Sequence, residues 1–451
     1  MNNQYDVIYI GSGHSCWHGA LILKMQGKKV ALVEKDLLGG TCTNYGCDAK
    51  ILLDAPIELK EALDRYQNIG LAKQAEISWD ALMVYKKGYI GSMPAALEGL
   101  FGQFGFDIIR GAAKFVDAHT IEVEGQQYQA DYFVIGTGQD YVPLDIPGKE
   151  LFKTSRDFLS LDHLPDHLTF VGAGIIGMEF ASICLALGKK VTIVDLASRP
   201  LGQYPKKYVD FIVDKMKKLG AEFLLGKHVA SLEKKEDRFL LKTEEGDEVL
   251  TDYCLVAVGR KANVDGLNLD ALGIEYSSRG IKVDDHLRTK VKNIYASGDV
   301  IDKKIPKLTP TAEYESNYIA IDILLPGMFK KKIAYPVIPN LVFTLPRIGQ
   351  VGVPVDEAKA LGLRVEEVEL GKTMAWANKN DFAEHVTYVF NKKNELVGAS
   401  VLSDEAGSYL DLLTIIINKK LKASDLSRMI FSFPTTTYGL LSSLLPLMLK
   451  K

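Results

Sequence analysis

Two cysteines, Cys42 and Cys47, stand five positions apart in Gly39-Gly40-Thr41-Cys42-Thr43-Asn44-Tyr45-Gly46-Cys47-Asp48-Ala49-Lys50. Followed by a helical stretch over 51–66, this spacing lets the two sulfurs close a small ring. The nearby helix N-terminus favours thiolate. The chemistry such a pair performs is reversible thiol–disulfide exchange. The competing role is half a zinc site, but zinc takes further ligands. No second Cys/His cluster with ligand spacing occurs among the eight histidines. Cys16, Cys184 and Cys254 are isolated, and Cys184 and Cys254 read as small buried hydrophobes. The charge of Asp48, adjoining Cys47, opposes thiolate formation.

Two repeated patterns flank and position this pair. Residues 5–10 form an apolar run of buried-strand length, followed by Gly11-Ser12-Gly13, a helix-compatible stretch over 17–26, and a second strand over 29–33 ending in Glu34. The arrangement returns over 168–171, with Gly172, Gly174 and Gly177, and ends in Asp195. Each acidic residue lies 23 positions after its first glycine. Glycines admit the backbone to a pyrophosphate, the helix N-terminus faces its charge, and the carboxylate takes a ribose hydroxyl. One such motif is weak evidence; two in matched register are strong. In the first, Cys16 replaces the third glycine, a position that serves helix–strand packing. Two dinucleotide sites in one chain imply a flavin paired with a nicotinamide. Asp195 favours a free 2′-hydroxyl, hence NADH over NADPH, although Arg199 lies close in sequence.

The cysteine segment resembles that of the glutathione reductase, dihydrolipoamide dehydrogenase and mercuric reductase family, and the resemblance runs through essentially the whole chain. Thr137-Gly138, Gly259-Arg260, Tyr295-Ala296-Ser297-Gly298-Asp299, Leu308-Thr309-Pro310 and Phe343-Thr344-Leu345-Pro346 each resemble a family signature. The implied architecture is α/β: two Rossmann-like domains for FAD (1–147 with 262–334) and NAD(P) (148–261), then an α+β dimerisation domain (335–451). By resemblance, Cys47 lies against the flavin and Cys42 meets substrate. Lys50 is similar to the lysine near flavin N5, and Glu179 to its ion-pair partner. The resemblance also assigns FAD contacts to Gly11, Gly13, Glu34, Thr41, Lys50, Thr137, Gly138, Asp299, Leu308 and Thr309. Nicotinamide-dinucleotide contacts fall to Gly172, Gly174, Gly177, Asp195 and Gly259. Two residues separate Cys47 from Lys50 where the family usually has three, which predicts a slightly displaced lysine.

The C-terminal segment departs most. Family members usually carry His-Pro-Thr-x-x-Glu, contributed across a homodimer to the partner's cysteines. Here Phe433-Pro434-Thr435-Thr436-Thr437-Tyr438 keeps the Pro-Thr frame and loses both the acid–base histidine and its glutamate. A positioned acid–base contributes roughly 100- to 10,000-fold. Its loss hurts most with basic leaving thiolates such as those of glutathione and lipoamide. No cysteine follows Cys254, unlike mercuric reductase and the large thioredoxin reductases. The pair also differs from the single flavin-side cysteine of coenzyme A disulfide reductase. A small oxidant whose departing fragment needs no proton fits this chain, and hypothiocyanous acid, reduced by some flavoproteins related to mercuric reductase, is the expected substrate. Phe433 and Tyr438 then read as pocket or interface aromatics. The alternatives are a dihydrolipoamide dehydrogenase or low-molecular-weight disulfide reductase and, in another class, a non-catalytic flavin-binding regulator.

Composition sets the remaining bounds. Apolar residues at 47%, charged residues at 25% and a net charge of −3 suit a soluble protein and argue against nucleic acid or anionic membrane. The N-terminus enters a strand with no room for a signal peptide, which predicts a cytoplasmic enzyme. The apolar tail over 440–451 is too short to span a bilayer and reads as a last helix.

Overall fold

The computed structural model describes residues 3–327, 332–381 and 383–450. Met1, Asn2 and Lys451, which the reading of the two ends includes, and 328–331, within the stretch assigned to the flavin domain, lie outside the described residues.

The first sheet grows from β1 (Gln4–Ile10), whose last four residues are buried. It pairs in parallel with β2 (Val30–Glu34), Val7 opposite Val30, and on its other side with strand Gln126–Ile135. α1 (His14–Met25) starts three residues earlier than its apolar pattern suggested, because Gly13 supplies an extended N-cap. Strand Ile294–Ala296 returns from far along the chain to pair with Gln126–Ile135 in the same sheet. Seven strands result, with antiparallel strands Thr120–Val123 and Ala113–Asp117 at one end.

A second sheet has four parallel strands, ordered Ala221–Leu225, Lys190–Asp195, His167–Val171 and Tyr253–Val256, and helix Ile175–Ala186 packs against its two central strands. The chain passes between the sheets through a two-stranded joint, Gln139–Tyr141 against Arg260–Ala262. There Thr137 Oγ1 donates to Asn263 O at 2.6 Å and Asn263 Nδ2 donates to Thr137 O at 3.0 Å, which fixes the Thr137-Gly138 turn. The third sheet is a five-stranded antiparallel one between Asn340 and Leu402. Its strands His385–Phe390 and Leu396–Leu402 alternate into a core shared with helices Ala406–Lys419 and Thr436–Met448.

The cysteines sit where these units meet. α2 (Gly40–Tyr45) and α3 (Cys47–Asp64) follow β2, so the helix begins at Cys47 itself rather than at Ile51. Ala49, Leu53 and Ile57 of α3 are fully buried in one core with Phe170 and Ile183 of the second sheet's unit and Val342 and Ile348 of the third. This amphipathic face anchors the helix that carries the sulfurs. Among the described residues, no helix is long and apolar enough to cross a membrane.

Candidate active site

The turn into the cysteine segment depends on glycine. Gly39 and Gly40 both take left-handed backbone angles (φ 97° and 68°), and a Cβ on Gly40 would lie 2.9 Å from Gly13 Cα. Only residues without side chains let the segment cross the nucleotide loop this closely. Asn44 then ties down α2 by donating to Leu38 O and Gly40 O at 2.9 and 3.0 Å.

Cys42 and Cys47 are two free thiols, the first half-buried and the second open to a cleft of ≈ 420 Å³. Thr309 Oγ1, at the start of helix Thr309–Leu324, donates to Cys42 Sγ at 3.1 Å and lies 3.7 Å from Cys47 Sγ. The sulfurs therefore titrate apart. The hydrogen bond from Cys42 pulls the Cys47 thiol down to about 6, against burial. Thr309 and the Lys50 charge help, and Asp48 opposes weakly. Cys42 is driven well above its ordinary value, first by that same hydrogen bond and then by burial. One thiolate on Cys47 and one proton on Cys42 is the form the geometry favours. The Asp48 charge expected to resist the thiolate is outweighed.

Lys50 Nζ reaches Glu179 Oε2 at 2.9 Å, both largely buried. The shortened spacing thus leaves Lys50 within reach of the partner that the sequence named. Glu179 Oε1 also accepts the backbone N–H of Phe343 at 2.9 Å. None of the eight histidines hydrogen-bonds to either sulfur among the described residues. His385 stands on its strand facing Glu367 at 3.8 Å.

The cleft is lined by Gly11, Gly13, Glu34, Thr41, both cysteines, Thr137, Gly138, Asp299, Leu308 and Thr309, so every expected FAD contact but Lys50 borders it. The same lining includes Glu34, whose carboxylate accepts from Ser12 N (3.0 Å), Ser12 Oγ (2.7 Å) and Asp36 N (2.8 Å). The expected nicotinamide contacts form a separate, parallel arrangement: Asp195 accepts from Ala173 N and, at 2.6 Å, from Ala197 N. At Gly13 an added Cβ would find nothing nearer than 3.8 Å, and at Gly174 nothing within 4 Å. Both middle glycines therefore leave open room at a helix N-terminus, which suits a pyrophosphate. The residues fit two dinucleotides.

Several contributors escaped the sequence reading. Ser12 links Glu34 to the cysteine turn, since Gly39 N donates to its Oγ at 3.2 Å. Fully buried Glu315 accepts Gly298 N (2.7 Å), Lys303 Nζ (2.6 Å) and Tyr335 OH (2.7 Å), ordering the turn before Asp299. A carboxylate on the helix face of Ala312 and Ile319 was the available signal. Phe433 and Tyr438 lie on the surface, 77% and 39% exposed, with rings edge-to-face at 5.2 Å. Thr435 caps the last helix by accepting Tyr438 N at 3.1 Å.

A cysteine pair lining a cleft walled by one dinucleotide loop, with a second such loop in the same chain, defines a flavoprotein disulfide oxidoreductase. The chain belongs to the pyridine nucleotide-disulphide oxidoreductase family: that family's model matches residues 5–316 and its dimerisation domain residues 338–441. It is 30% identical to a mercuric reductase of Bacillus cereus over 97% of this chain and 71% of that protein. It is also 30% identical to a dihydrolipoyl dehydrogenase of Staphylococcus aureus, over 95% and 94% of the two chains. Among solved structures, the HOCl-induced flavoprotein disulfide reductase RclA of Escherichia coli superposes with TM-score 0.87 at 25% identity, covering 98% and 99% of the two chains. A Cu(II) complex of that reductase gives 0.88 at 26% identity, covering 99% of this chain and 100% of the other. The protein is thus an FAD-dependent enzyme that uses a pyridine nucleotide.

Proposed function

We propose that this enzyme reduces hypothiocyanous acid with electrons from NADH, through Cys42 and Cys47. The observation that carries the reading is the makeup of the sulfurs' surroundings: a threonine hydroxyl is their hydrogen-bond partner, and the C-terminal Pro-Thr frame brings Phe433 and Tyr438 in place of an acid–base pair.

The proton balance explains why such a site suffices. FAD, when bound, supplies the relay that brings a hydride equivalent from the nicotinamide to the disulfide. Opening a disulfide with hydride leaves one thiol and one thiolate, the distribution that Cys42 and Cys47 favour. Cys42 sulfur attacks the sulfur of HOSCN, the S–O bond breaks, and the Cys42 proton leaves with hydroxide as water. Because the thiolate is the nucleophile, that proton must depart as the S–S bond forms. Thr309 Oγ1, 3.1 Å away, is placed to pass it. Cys47 thiolate then attacks Cys42 sulfur, closes the disulfide and expels thiocyanate, a very weak base. The sum is NADH + HOSCN → NAD⁺ + SCN⁻ + H₂O, with no proton entering or leaving. Reducing glutathione disulfide instead consumes one proton per turnover, which the acid–base histidine handles in relatives. The likeness to a reductase induced by HOCl supports an oxidant-facing role.

NADH is favoured over NADPH because the second motif ends in the carboxylate of Asp195, which suits a free ribose 2′-hydroxyl and repels a 2′-phosphate. Arg199 turns back onto Gly202 O (3.1 Å) and Tyr204 O, away from that role. The exposed run of Ile430, Phe433 and Tyr438 is the surface a second copy covers in a homodimer, setting the aromatic pair beside the partner's cysteines. Three buried free thiols, Cys16, Cys184 and Cys254, suit a reducing compartment, the cytoplasm. The test is NADH consumption by purified flavoprotein with hypothiocyanous acid, glutathione disulfide and lipoamide. Faster turnover with either disulfide refutes the substrate, and a higher kcat/KM with NADPH refutes the coenzyme.

A further inference from the structure

Lys50, Asp54 and Glu58 follow one another at four-residue intervals on one face of α3. Lys50 therefore has two carboxylates within reach: Asp54, four residues on along its own helix, or Glu179 on the neighbouring unit. It takes Glu179. Phe343 and Arg347, from the segment that opens the third sheet, account for that choice. Lys50 Nζ lies 3.9 Å from the Phe343 ring centroid, and the Arg347 guanidinium carbon lies 4.4 Å from it. Arg347 in turn holds Asp54 at 2.8 Å and Glu58 at 2.5 Å. The Phe343 backbone N–H grips the other oxygen of Glu179.

We infer that Phe343 is a positioning residue: its ring and backbone hold the Lys50 cation on Glu179, beside Cys47, while Arg347 occupies Asp54, the carboxylate of its own helix that would otherwise draw Lys50 away. A cation over a desolvated aromatic face is attracted to it. The ring is thus a directional support where a lysine's flexible stem provides none. The charged groups around Lys50 are Asp54 on α3 and Glu179 across the boundary, with Arg347 and Glu58 on the far side of Asp54. The groups around Cys47 are Cys42, Thr309, Asp48 and Lys50. Moving the Lys50 charge removes one of the influences that keep Cys47 ionised. The inference rests on the redox role of Cys47 and not on which oxidant is reduced.

The test follows the thiolate–flavin charge-transfer absorbance of the reduced holoenzyme against pH. Wild type should titrate near 6, where the Cys47 thiol lies. Phe343→Leu should raise the midpoint by about one unit, the scale of a displaced opposite charge. Phe343→Tyr should restore it. Phe343→Leu should add nothing to Lys50→Met, since both act through one cation. Trifluorophenylalanine at position 343 keeps the ring's shape while weakening its face, and should give an intermediate midpoint even if the leucine variant folds poorly. An unmoved midpoint in the leucine and fluorinated proteins, or additive shifts in the double variant, overturns the inference. A wild-type enzyme without the band would overturn the redox assignment of Cys47 as well.

Discussion

The beginning and the end of the chain equip the sulfurs very differently. Around α2 and α3 the polar apparatus is dense: Cys42 and Cys47 share Thr309, Lys50 is paired with Glu179, and Phe343 and Arg347 brace that pair. In the segment before the last helix the Pro-Thr frame and the Thr435 cap remain, yet the side chains on that frame are aromatic. The contrast teaches that electron delivery and proton delivery are separable parts of this fold. A hydride opens a disulfide without any outside acid, whereas expelling a basic thiolate requires one.

The largest effect should come from the dense side. Cys42→Ser or Cys47→Ser should lower oxidant reduction by about 10³-fold or more, within the range for a positioned reacting group. Only Cys47→Ser should also remove the charge-transfer absorbance. Next comes an attempt to erase the contrast: Phe433→His with Tyr438→Glu should raise turnover of lipoamide or glutathione disulfide by about 10²-fold, while hypothiocyanous acid reduction changes little. If disulfide turnover stays flat in that well-folded variant, the aromatic pair is not what limits those substrates. Thr309→Val should slow oxidant reduction up to about tenfold, the upper range for one net hydrogen bond, and Thr309→Ser should recover it. The mildest perturbation is pH. A thiol drawn down to about 6 is ionised above that value, so turnover should be level from neutral pH upward and fall as pH drops through 6. A decline that begins instead near 9 would mean that Cys47 is unperturbed.

The two nucleotide loops show how far sequence reasoning reached. Their strand–glycine–helix order and terminal carboxylates were readable because backbone approach and a helix N-terminus demand those residue types at that spacing. What Cys16 does was not readable. At Gly177 a Cβ would strike Gly172 O at 2.0 Å, so the second loop needs its third glycine. In the first loop the demand is transferred: the first glycine's neighbour across the sheet is Gly136, where the second loop has Ala257, and a Cβ on Gly136 would lie 2.2 Å from Cys16 Sγ. A side chain was gained on one side and given up on the other, 120 residues away. Burial pushes the Cys16 thiol up to about 12, so it stays protonated and serves as packing.

From the sequence alone came the Cys42–Cys47 spacing, the two strand–glycine–helix patterns, the Lys50–Glu179 partnership implied by resemblance, and Phe433 and Tyr438 standing in the Pro-Thr frame. All of these are matters of residue type at fixed spacing along a chain. Tertiary structure alone decided which sulfur holds the negative charge, that one threonine serves both, and that Phe343 and Arg347 steer Lys50. Those outcomes depend on groups hundreds of positions apart brought within a few ångströms, where burial and hydrogen bonding set the charge state and local pattern carries no record of the neighbour.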